Sequence, residues 1–290
     1  MDETTFPLDP ANADQAREWN GDDGKYWASY HEHYERLLGV FDPVLLEASG
    51  VGPGARCLDL GCGTGPTTQA LAERAAGGSV LGLDISAPLL AVARRRAEGL
   101  PHVRFQQGDA QIYPFEAGSF DLAVSRMGCM FFADPGAAFA NVGRALRPGG
   151  RLAVTVWRPM ADNVWVTAVD AVLEPDEVAD DGGPADDADP AEPGPGPFSM
   201  ADPERCRSLL TGAGFVDVAV DPLDLPLAFG TVDQAQALLE SWIEDDPGPE
   251  ARAARLAALR LLLTDHLTPD GVLLPSATWL VTGRRPRASR

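Results

Sequence analysis

The chain has 290 residues, 45% of them hydrophobic and 23% charged. Its hydrophobic content is enough for a full core, and its length is too short for several large domains. Its 23 basic residues face 43 acidic ones, and the formal net charge of -20 argues against nucleic acid or an anionic membrane surface as the main partner. No apolar run reaches the roughly 20 residues of a membrane span, and the start lacks the features of a secretory signal. We therefore expect a soluble, cytoplasmic protein.

Residues 12–49 are predicted to form two helices that carry a set of aromatic rings. The rings belong to Trp19, Tyr26, Trp27, Tyr30 and Tyr34. The spacing of Tyr26, Tyr30 and Tyr34 places these three rings on one helical face. Two uses are open for the set: it packs the helices onto the core, or it lines an acceptor pocket in which the rings contact a cationic group.

From residue 56 onward, short segments rich in Val, Leu and Ile alternate with longer segments of helical period. This pattern is typical of strand-helix units on a parallel sheet, so we predict an α/β domain. The predicted strands are Arg56–Leu60, Val80–Asp84, Val103–Gln107, Phe120–Ser125 and Arg151–Trp157. The helices between them are predicted at Thr67–Ala76, Ala87–Glu98 and Pro135–Leu146, the last ended by a turn at Arg147–Gly150.

The second half of the chain begins with an acidic stretch, Glu174–Pro197, which holds nine acidic residues, six prolines and no basic residue. Such a composition cannot bury apolar surface, and it predicts a mobile loop, with gating of a site as the alternative. Further elements are then predicted as a helix at Pro203–Thr211, strands at Phe215–Val220, Leu223–Phe229 and Thr278–Thr282, and helices between Val232 and Leu267.

A glycine-rich turn follows the first predicted strand and reads D-x-G-x-G-x-G from Asp59 to Gly65. Glycine has no Cβ and takes positive φ at low cost, so a ligand can approach this backbone closely. A dinucleotide-binding turn would have its third glycine at the position of Pro66. Asp59 suits an ammonium group better than a pyrophosphate, which favours a cofactor that carries an amino acid. The alternative for Asp59 is a carboxylate that caps a helix or turn.

Two more acids end the next two predicted strands. Asp84 lies where a carboxylate can accept hydrogen bonds from both ribose hydroxyls, although it could also cap the helix that starts near Ala87. Asp109, in the triplet Gly108-Asp109-Ala110, can offer a carboxylate and a neighbouring backbone donor to an adenine edge. Three acids at the ends of three consecutive strands fit one nucleoside with a cationic tail.

Five segments carry a resemblance to a known family: LDLGCGTG, GLDIS, GDA, FDLAVSRMGCMFFADP and LRPGGRLAVTVW, in this order across about residues 50–160. Together they resemble the class I S-adenosylmethionine-dependent methyltransferases, in particular small-molecule enzymes similar to the ubiquinone and menaquinone C-methyltransferases. The resemblance implies a Rossmann-like, mostly parallel sheet of seven strands in the order 3-2-1-4-5-7-6, with strand 7 antiparallel. It divides the chain into an N-terminal helical lid, 1–50, and a methyltransferase domain, 51–290, with the acidic loop at 174–197 and a helical cap insertion at about 231–270.

The same resemblance implies S-adenosylmethionine as the cofactor, bound across strands 1, 2 and 4. Carried onto this chain, the cofactor contacts are Asp59, Gly61 and Gly63 for the methionine part, Asp84 and Ile85 for the ribose, Gly108, Asp109 and Ala110 for the adenine, and Ser125 and Arg126 beside the sulfonium and the methionine end.

The reaction needs few catalytic groups, because the methyl group of S-adenosylmethionine already sits on a positively charged sulfur and mainly requires an aligned nucleophile. If a general base acts, the candidates are His31 and His33 in the lid, since imidazole exchanges protons near neutral pH. The same segment could equally be a solvated helix face. Their spacing of two residues directs them to different faces, which argues against a metal site. Contacts with the substrate are expected from Tyr26, Trp27, Tyr30 and Tyr34.

The sequence thus predicts methyl transfer by in-line displacement to a small, apolar or aromatic metabolite, such as a natural product or a quinone-like compound. The alternatives are a methyltransferase fold that catalyses a non-methylating reaction such as cyclisation, and a non-catalytic cofactor-binding protein. The expected partner is a small-molecule methyl acceptor, with no nucleic acid and no membrane. The four cysteines form no CxxC pair and are predicted to be buried thiols.

Overall fold

A computed structural model describes residues 6–173, 194–240 and 248–287 of the chain. Its strands are β1 Arg56–Leu60, β2 Ser79–Asp84, β3 Val103–Gln107, β4 Phe120–Arg126, β5 Leu146–Trp157, β6 Val216–Gly230, β7 Leu267–Thr268 and β8 Gly271–Arg284. The α-helices are α1 Ala13–Asn20, α2 Asp22–Ser29, α3 His31–Leu38, α4 Asp42–Ser49, α5 Pro66–Arg74, α6 Ala87–Arg96, α7 Pro135–Ala145, α8 Val164–Leu173, α9 Pro203–Gly212, α10 Val232–Glu240 and α11 Pro249–Asp265.

The strands form one sheet in the order β3-β2-β1-β4-β5-β8-β6, with the two-residue β7 paired to the start of β8. The pairs from β3 to β5 are parallel, and β8 runs antiparallel to both β5 and β6. When β7 is set aside, β8 is the seventh strand, and the predicted order 3-2-1-4-5-7-6 with an antiparallel seventh strand is confirmed. Helices cover both faces of the sheet, which explains why β1 is buried along almost its whole length.

Two predicted strands, Phe215–Val220 and Leu223–Phe229, are in fact one strand, β6, so the predicted break is wrong. The strand continues through Pro222 because β6 is the last strand of the sheet, and proline is tolerated on an edge strand, where one side needs no N–H donor. β8 extends well beyond the predicted Thr278–Thr282 because it pairs with β6 along most of its length. Likewise, Arg147–Gly150 lies inside β5 rather than before it.

The N-terminal region forms four short α-helices, α1 to α4, where two were predicted. Gly21 breaks the first stretch with an extended ψ of -144°, and Tyr30 falls between α2 and α3. The three tyrosines therefore do not lie on one helix, although the ring centroid of Tyr26 is 4.7 Å from that of Tyr30 and 6.4 Å from that of Tyr34. The helix α8 was not predicted, because its sequence VWVTAVDAVL is apolar almost all round and shows no helical period.

The four cysteines are buried free thiols, as predicted, and burial raises the pKa of each. Most of the predicted acidic loop, in residues 174–193, lies outside the described residues. In the described ranges, no helix combines the length and the apolar composition of a membrane span.

Asp121 ties three neighbouring strands together near their amino ends. Its carboxylate accepts hydrogen bonds from the backbone N and the guanidinium of Arg56 in β1 and from the guanidinium of Arg147 in β5. Partial burial raises the pKa of Asp121, but these hydrogen bonds outweigh it and hold the pKa well below its usual range. A depressed pKa means that the folded state favours the ionised carboxylate, so this contribution to stability is present above the unfolded-state pKa of about 3.9 and is lost as the pH falls.

Asp121→Asn is therefore expected to lower the free energy of unfolding at pH 7 by about 1–2 kcal/mol, because it weakens hydrogen bonds to a charged acceptor. The difference from the unmodified protein should shrink below about pH 4, where the unfolded carboxyl becomes protonated. Urea unfolding at pH 7 and at pH 3 measures both values, with the exposed Asp14→Asn as the matched control. A difference of the same size at both pH values would contradict the expected role of the charge.

Candidate functional site

A cavity of about 630 Å³ lies at the carboxyl ends of the parallel strands, beneath the N-terminal helices. This volume falls in the range of roughly 300–1,000 Å³ that is usual for small-molecule sites. Toward β1, β2 and β3 the wall consists of glycines and acids, whereas toward β4, β5 and the helices it is mainly aromatic and apolar. The polar wall includes Gly61, Gly63, Asp84, Ile85, Gly108, Asp109 and Ala110, and the aromatic wall includes Trp27, Tyr34, Met130, Phe131, Phe132, Trp157 and Trp165.

The glycine turn after β1 forms part of the polar wall. Gly61 and Gly63 have φ values of +61° and +54°, which residues with a Cβ rarely adopt. A Cβ on Gly61 would lie 2.8 Å from the Cα of Gly128, so the turn after β4 also packs too closely for a side chain at this position. At Gly63 the space where a Cβ would point is open. The turn therefore exposes backbone to the cavity, as the motif predicts.

Asp84 holds this turn in place from the end of β2. Its Oδ2 accepts a hydrogen bond from the backbone N of Gly63 at 2.7 Å, and its Oδ1 accepts one from the backbone N of Ser86 at 2.8 Å. Burial raises the pKa of Asp84, and the two backbone hydrogen bonds oppose that rise. The alternative role of capping α6 belongs to Ser86, whose hydroxyl accepts from Leu89 N. Asp84 lines the cavity with acceptor capacity left on both oxygens.

Asp109 occupies the equivalent place after β3 and also lines the cavity. Its Oδ1 accepts from the backbone N of Gln111 at 2.9 Å, which closes the turn that follows the strand. Its Oδ2 accepts from the backbone N of Asp9 at 3.0 Å, so the chain ahead of α1 lies against this acid. Asp84 and Asp109 are thus fixed by backbone donors at the ends of adjacent strands.

Asp59 and Ser125 do not line the cavity, although both were predicted to contact the cofactor. Asp59 is buried in contact with α5, where its Oδ2 accepts from the Thr68 hydroxyl at 2.6 Å, and burial raises its pKa to about 7. The Ser125 hydroxyl donates to Leu60 O at 2.8 Å and accepts from Cys129 N at 3.1 Å. Both side chains face neighbouring elements, so they hold the turns after β1 and β4 from behind.

Arg126 lines the cavity at the end of β4, and its charge is paired. Its guanidinium donates to Oδ2 of Asp42 at 2.8 Å, and the other oxygen of Asp42 accepts from the Thr67 hydroxyl, also at 2.8 Å. The side chains of Arg126 and Asp42 are only 10% and 16% exposed. This ion pair joins α4 to β4 and fixes the direction in which the guanidinium meets the cavity.

The two candidate histidines separate in the structure. His31 lines the cavity, and its Nδ1 lies 3.6 Å from Oε1 of Glu35, with no hydrogen-bond partner among the described residues. Glu35, which was not predicted, also accepts from the hydroxyl of Thr64 at 2.8 Å and from the guanidinium of Arg96 at 2.7 Å. His33 packs against the Tyr30 ring and does not line the cavity. The spacing of two residues explains this separation.

Only some of the residues predicted to contact the substrate line the cavity. Trp27 and Tyr34 line the cavity as a stacked pair with ring centroids 3.6 Å apart, whereas Tyr26 and Tyr30 do not line it. Sequence reasoning missed Trp157 and Trp165, whose ring centroids are 5.0 Å apart in the same wall. Trp157 ends a predicted parallel strand, a position that could have indicated it. None of the described residues within the predicted cap, 231–270, lines the cavity.

Comparison with known proteins agrees with this architecture. The sequence model of a family described as "Methyltransferase domain" matches residues 58–154, the part that contains β1, β2 and the glycine turn. A demethylmenaquinone methyltransferase of Thermus thermophilus is 46% identical over 106 residues, which are 36% of this chain and 48% of that protein. The chain therefore matches only about half the length of that relative.

A second relative is similar over almost all of both proteins. The nocamycin O-methyltransferase of Saccharothrix syringae is 33% identical over 280 residues, which cover 87% of this chain and 96% of that protein. The crystal structure of the YcgJ protein of Bacillus subtilis has the same fold, with a TM-score of 0.54 at 19% identity over 89% of this chain and all of that chain. The chain thus belongs to the class I S-adenosylmethionine-dependent methyltransferases, and its cofactor is S-adenosylmethionine.

Proposed function

We propose that this enzyme transfers the methyl group of S-adenosylmethionine to a small, apolar or aromatic metabolite. The observation that carries the proposal is the division of one cavity into a polar wall at β1, β2 and β3 and an aromatic wall at β4, β5, α2, α3 and α8. The named products or substrates of the two relatives, nocamycin and demethylmenaquinone, support a natural product or a quinone-like compound as the acceptor. The described part of the predicted lid, residues 6–50, covers this cavity.

The polar wall fits the cofactor by its donors and acceptors. The backbone of the glycine turn at Gly61 and Gly63, open at Gly63, accommodates the methionine part, with Asp59 buried behind the turn and Arg126 in the same cavity wall. Asp84 has free acceptor capacity for the ribose hydroxyls beside Ile85. Gly108, Asp109 and Ala110 line the place proposed for the adenine.

When bound, the cofactor supplies a methyl group on a sulfonium, so the chain contributes chiefly position and exclusion of water. Correct placement of two reactants can lower a barrier by roughly 7–11 kcal/mol. The stacked Trp27 and Tyr34 and the pair Trp157 and Trp165 give flat apolar faces that hold an aromatic acceptor and exclude water. Aromatic faces also attract a nearby cation.

His31 is the proposed general base for an acceptor whose nucleophilic atom carries a proton. It lines the cavity, and its Nδ1 lies 3.6 Å from Oε1 of Glu35, a carboxylate that interacts favourably with a ring that has accepted a proton. Arg96 and Thr64 fix Glu35 from the opposite side, so its carboxylate is held in position.

The first test is isothermal titration with S-adenosylmethionine and, separately, with NADH, followed by measurement of S-adenosylhomocysteine formation with a panel of phenolic and quinol acceptors. We expect binding of S-adenosylmethionine alone and acceptor-dependent release of S-adenosylhomocysteine. Conversion of a substrate without this product would contradict methyl transfer and favour a non-methylating reaction such as cyclisation.

Asp84→Ala is expected to weaken binding of S-adenosylmethionine by about 1.5–3 kcal/mol, because the ribose loses hydrogen bonds to a charged acceptor. Titration calorimetry measures the change, with Asp14→Ala, on the exposed side of α1, as the matched control. A melting curve establishes that the variant is folded, since Asp84 also holds Gly63. Unchanged affinity in a folded variant would show that the ribose does not bind at Asp84.

His31→Ala is expected to lower kcat by about 10²–10⁴-fold with a proton-bearing acceptor, the usual contribution of a general base. Binding of S-adenosylmethionine should change less, and added imidazole should restore part of the activity. His33→Ala is the matched control and should retain kcat, because His33 lies outside the cavity wall. Equal losses in both variants, or no rescue by imidazole, would argue against proton transfer at His31.

A further inference from the structure

A residue of the lid whose carboxamide oxygen is unpaired lines the cavity. Asn12 ends a one-turn 3₁₀ helix, Pro10–Asn12, just ahead of α1, and it lines the cavity while being only 4% exposed. Its Oδ1 is fully buried and has no hydrogen-bond partner among the described residues. Buried polar atoms in folded proteins are nearly always paired, so this unpaired oxygen beside a binding cavity has unused capacity to accept a hydrogen bond from a ligand.

The neighbouring polar side chains of the lid are hydrogen-bonded to each other. Asn12, Gln15 and Trp19 follow one another at helical spacing, and all three line the cavity. The Gln15 carboxamide accepts from the indole N–H of Trp19 at 3.1 Å and donates to Glu18 at 2.9 Å. Of these three side chains, Asn12 alone is left with an unpaired buried polar atom.

Hydrogen bonds at both ends fix this part of the lid over the acids of β2 and β3. Ahead of α1, the backbone N of Asp9 donates to Asp109, and the backbone N of Asn12 donates to Asp9 O at 2.9 Å. Asn12 is therefore one 3₁₀ turn, roughly 6 Å along the axis, from the amide that contacts Asp109. At the other end, the Asn20 carboxamide donates to Ile85 O at 3.0 Å and accepts from Ala87 N at 2.9 Å.

We propose that the carboxamide of Asn12 recognises the adenine of S-adenosylmethionine. After rotation of the side chain toward the cavity, its oxygen accepts a hydrogen bond from the N6 amino group and its nitrogen donates to N7, the paired contact that asparagine makes with adenine. Asp109 and Ala110 face the other edge of the ring in the proposed binding mode, so the lid and the sheet hold the base between them. This inference rests on the proposed position of the adenine beside Asp109.

The proposal gives Asn12 a measurable role in ligand choice. Hypoxanthine carries an oxygen in place of the N6 amino group, so it presents two adjacent acceptors where the asparagine needs a donor and an acceptor. Removing the carboxamide should therefore weaken binding of an adenine ligand more than binding of the matching hypoxanthine ligand. A residue that only holds the lid closed would affect both ligands equally.

The experiment titrates S-adenosylhomocysteine and S-inosylhomocysteine into the 290-residue protein and into its Asn12→Leu and Asn12→Ala variants. We expect each variant to bind S-adenosylhomocysteine about tenfold more weakly and S-inosylhomocysteine less than about threefold more weakly. The matched control is Asn20→Leu, which removes a carboxamide that joins the lid to the loop after β2 and to the side chain of Gln107 in β3. It should weaken both ligands by the same factor.

Equal weakening of both ligands in the Asn12 variants, or no weakening of either, overturns the role of Asn12 in adenine recognition. Asn12→Ala keeps the test valid if the larger leucine disturbs the lid. The proposed function fails separately, when the unmodified protein does not bind S-adenosylhomocysteine or when Asp84→Ala leaves its affinity unchanged.

Discussion

The hydrogen bonds of Asp84 to the backbone N atoms of Gly63 and Ser86 are the contacts on which the site depends. They fix the glycine turn after β1 against the loop after β2, and so place an open stretch of backbone beside a carboxylate. Because β1 and β2 are parallel neighbours, their carboxyl ends reach the same edge of the sheet. The polar wall of the cavity follows from this arrangement.

A buried framework behind the wall keeps these turns in place. Asp59 contacts α5 through Thr68, Ser125 bridges the turns after β1 and β4, and Arg126 is paired with Asp42 of α4. These groups are polar and buried, and each has a partner in a different element of the structure. Such contacts make the geometry of the wall insensitive to the ligand, which suits catalysis by positioning.

The lid contributes polar side chains to the cavity that the sheet does not provide. It brings His31 and Glu35 to the aromatic wall and Asn12 to the polar wall, and its hydrogen bonds to Asp109 and Ile85 keep these residues over the sheet edge. The cavity is therefore lined partly by the edge of the sheet and partly by side chains of the N-terminal helices. We expect this segment to decide which acceptor is methylated.

The sequence by itself determined the sheet order through its family motifs, and it determined the positions of β1 to β4 to within a residue. It also determined that Asp84 and Asp109 lie at the cavity, because local spacing places both acids where neighbouring strands end at one edge of the sheet. It could not determine which other side chains reach the cavity, since that depends on how distant elements pack. Tertiary packing turned Asp59 and Ser125 away from the wall and divided the lid into short helices that present His31 but not His33. It also added Asn12, from a turn without a motif, and Trp165, from a helix whose apolar sequence has no helical period.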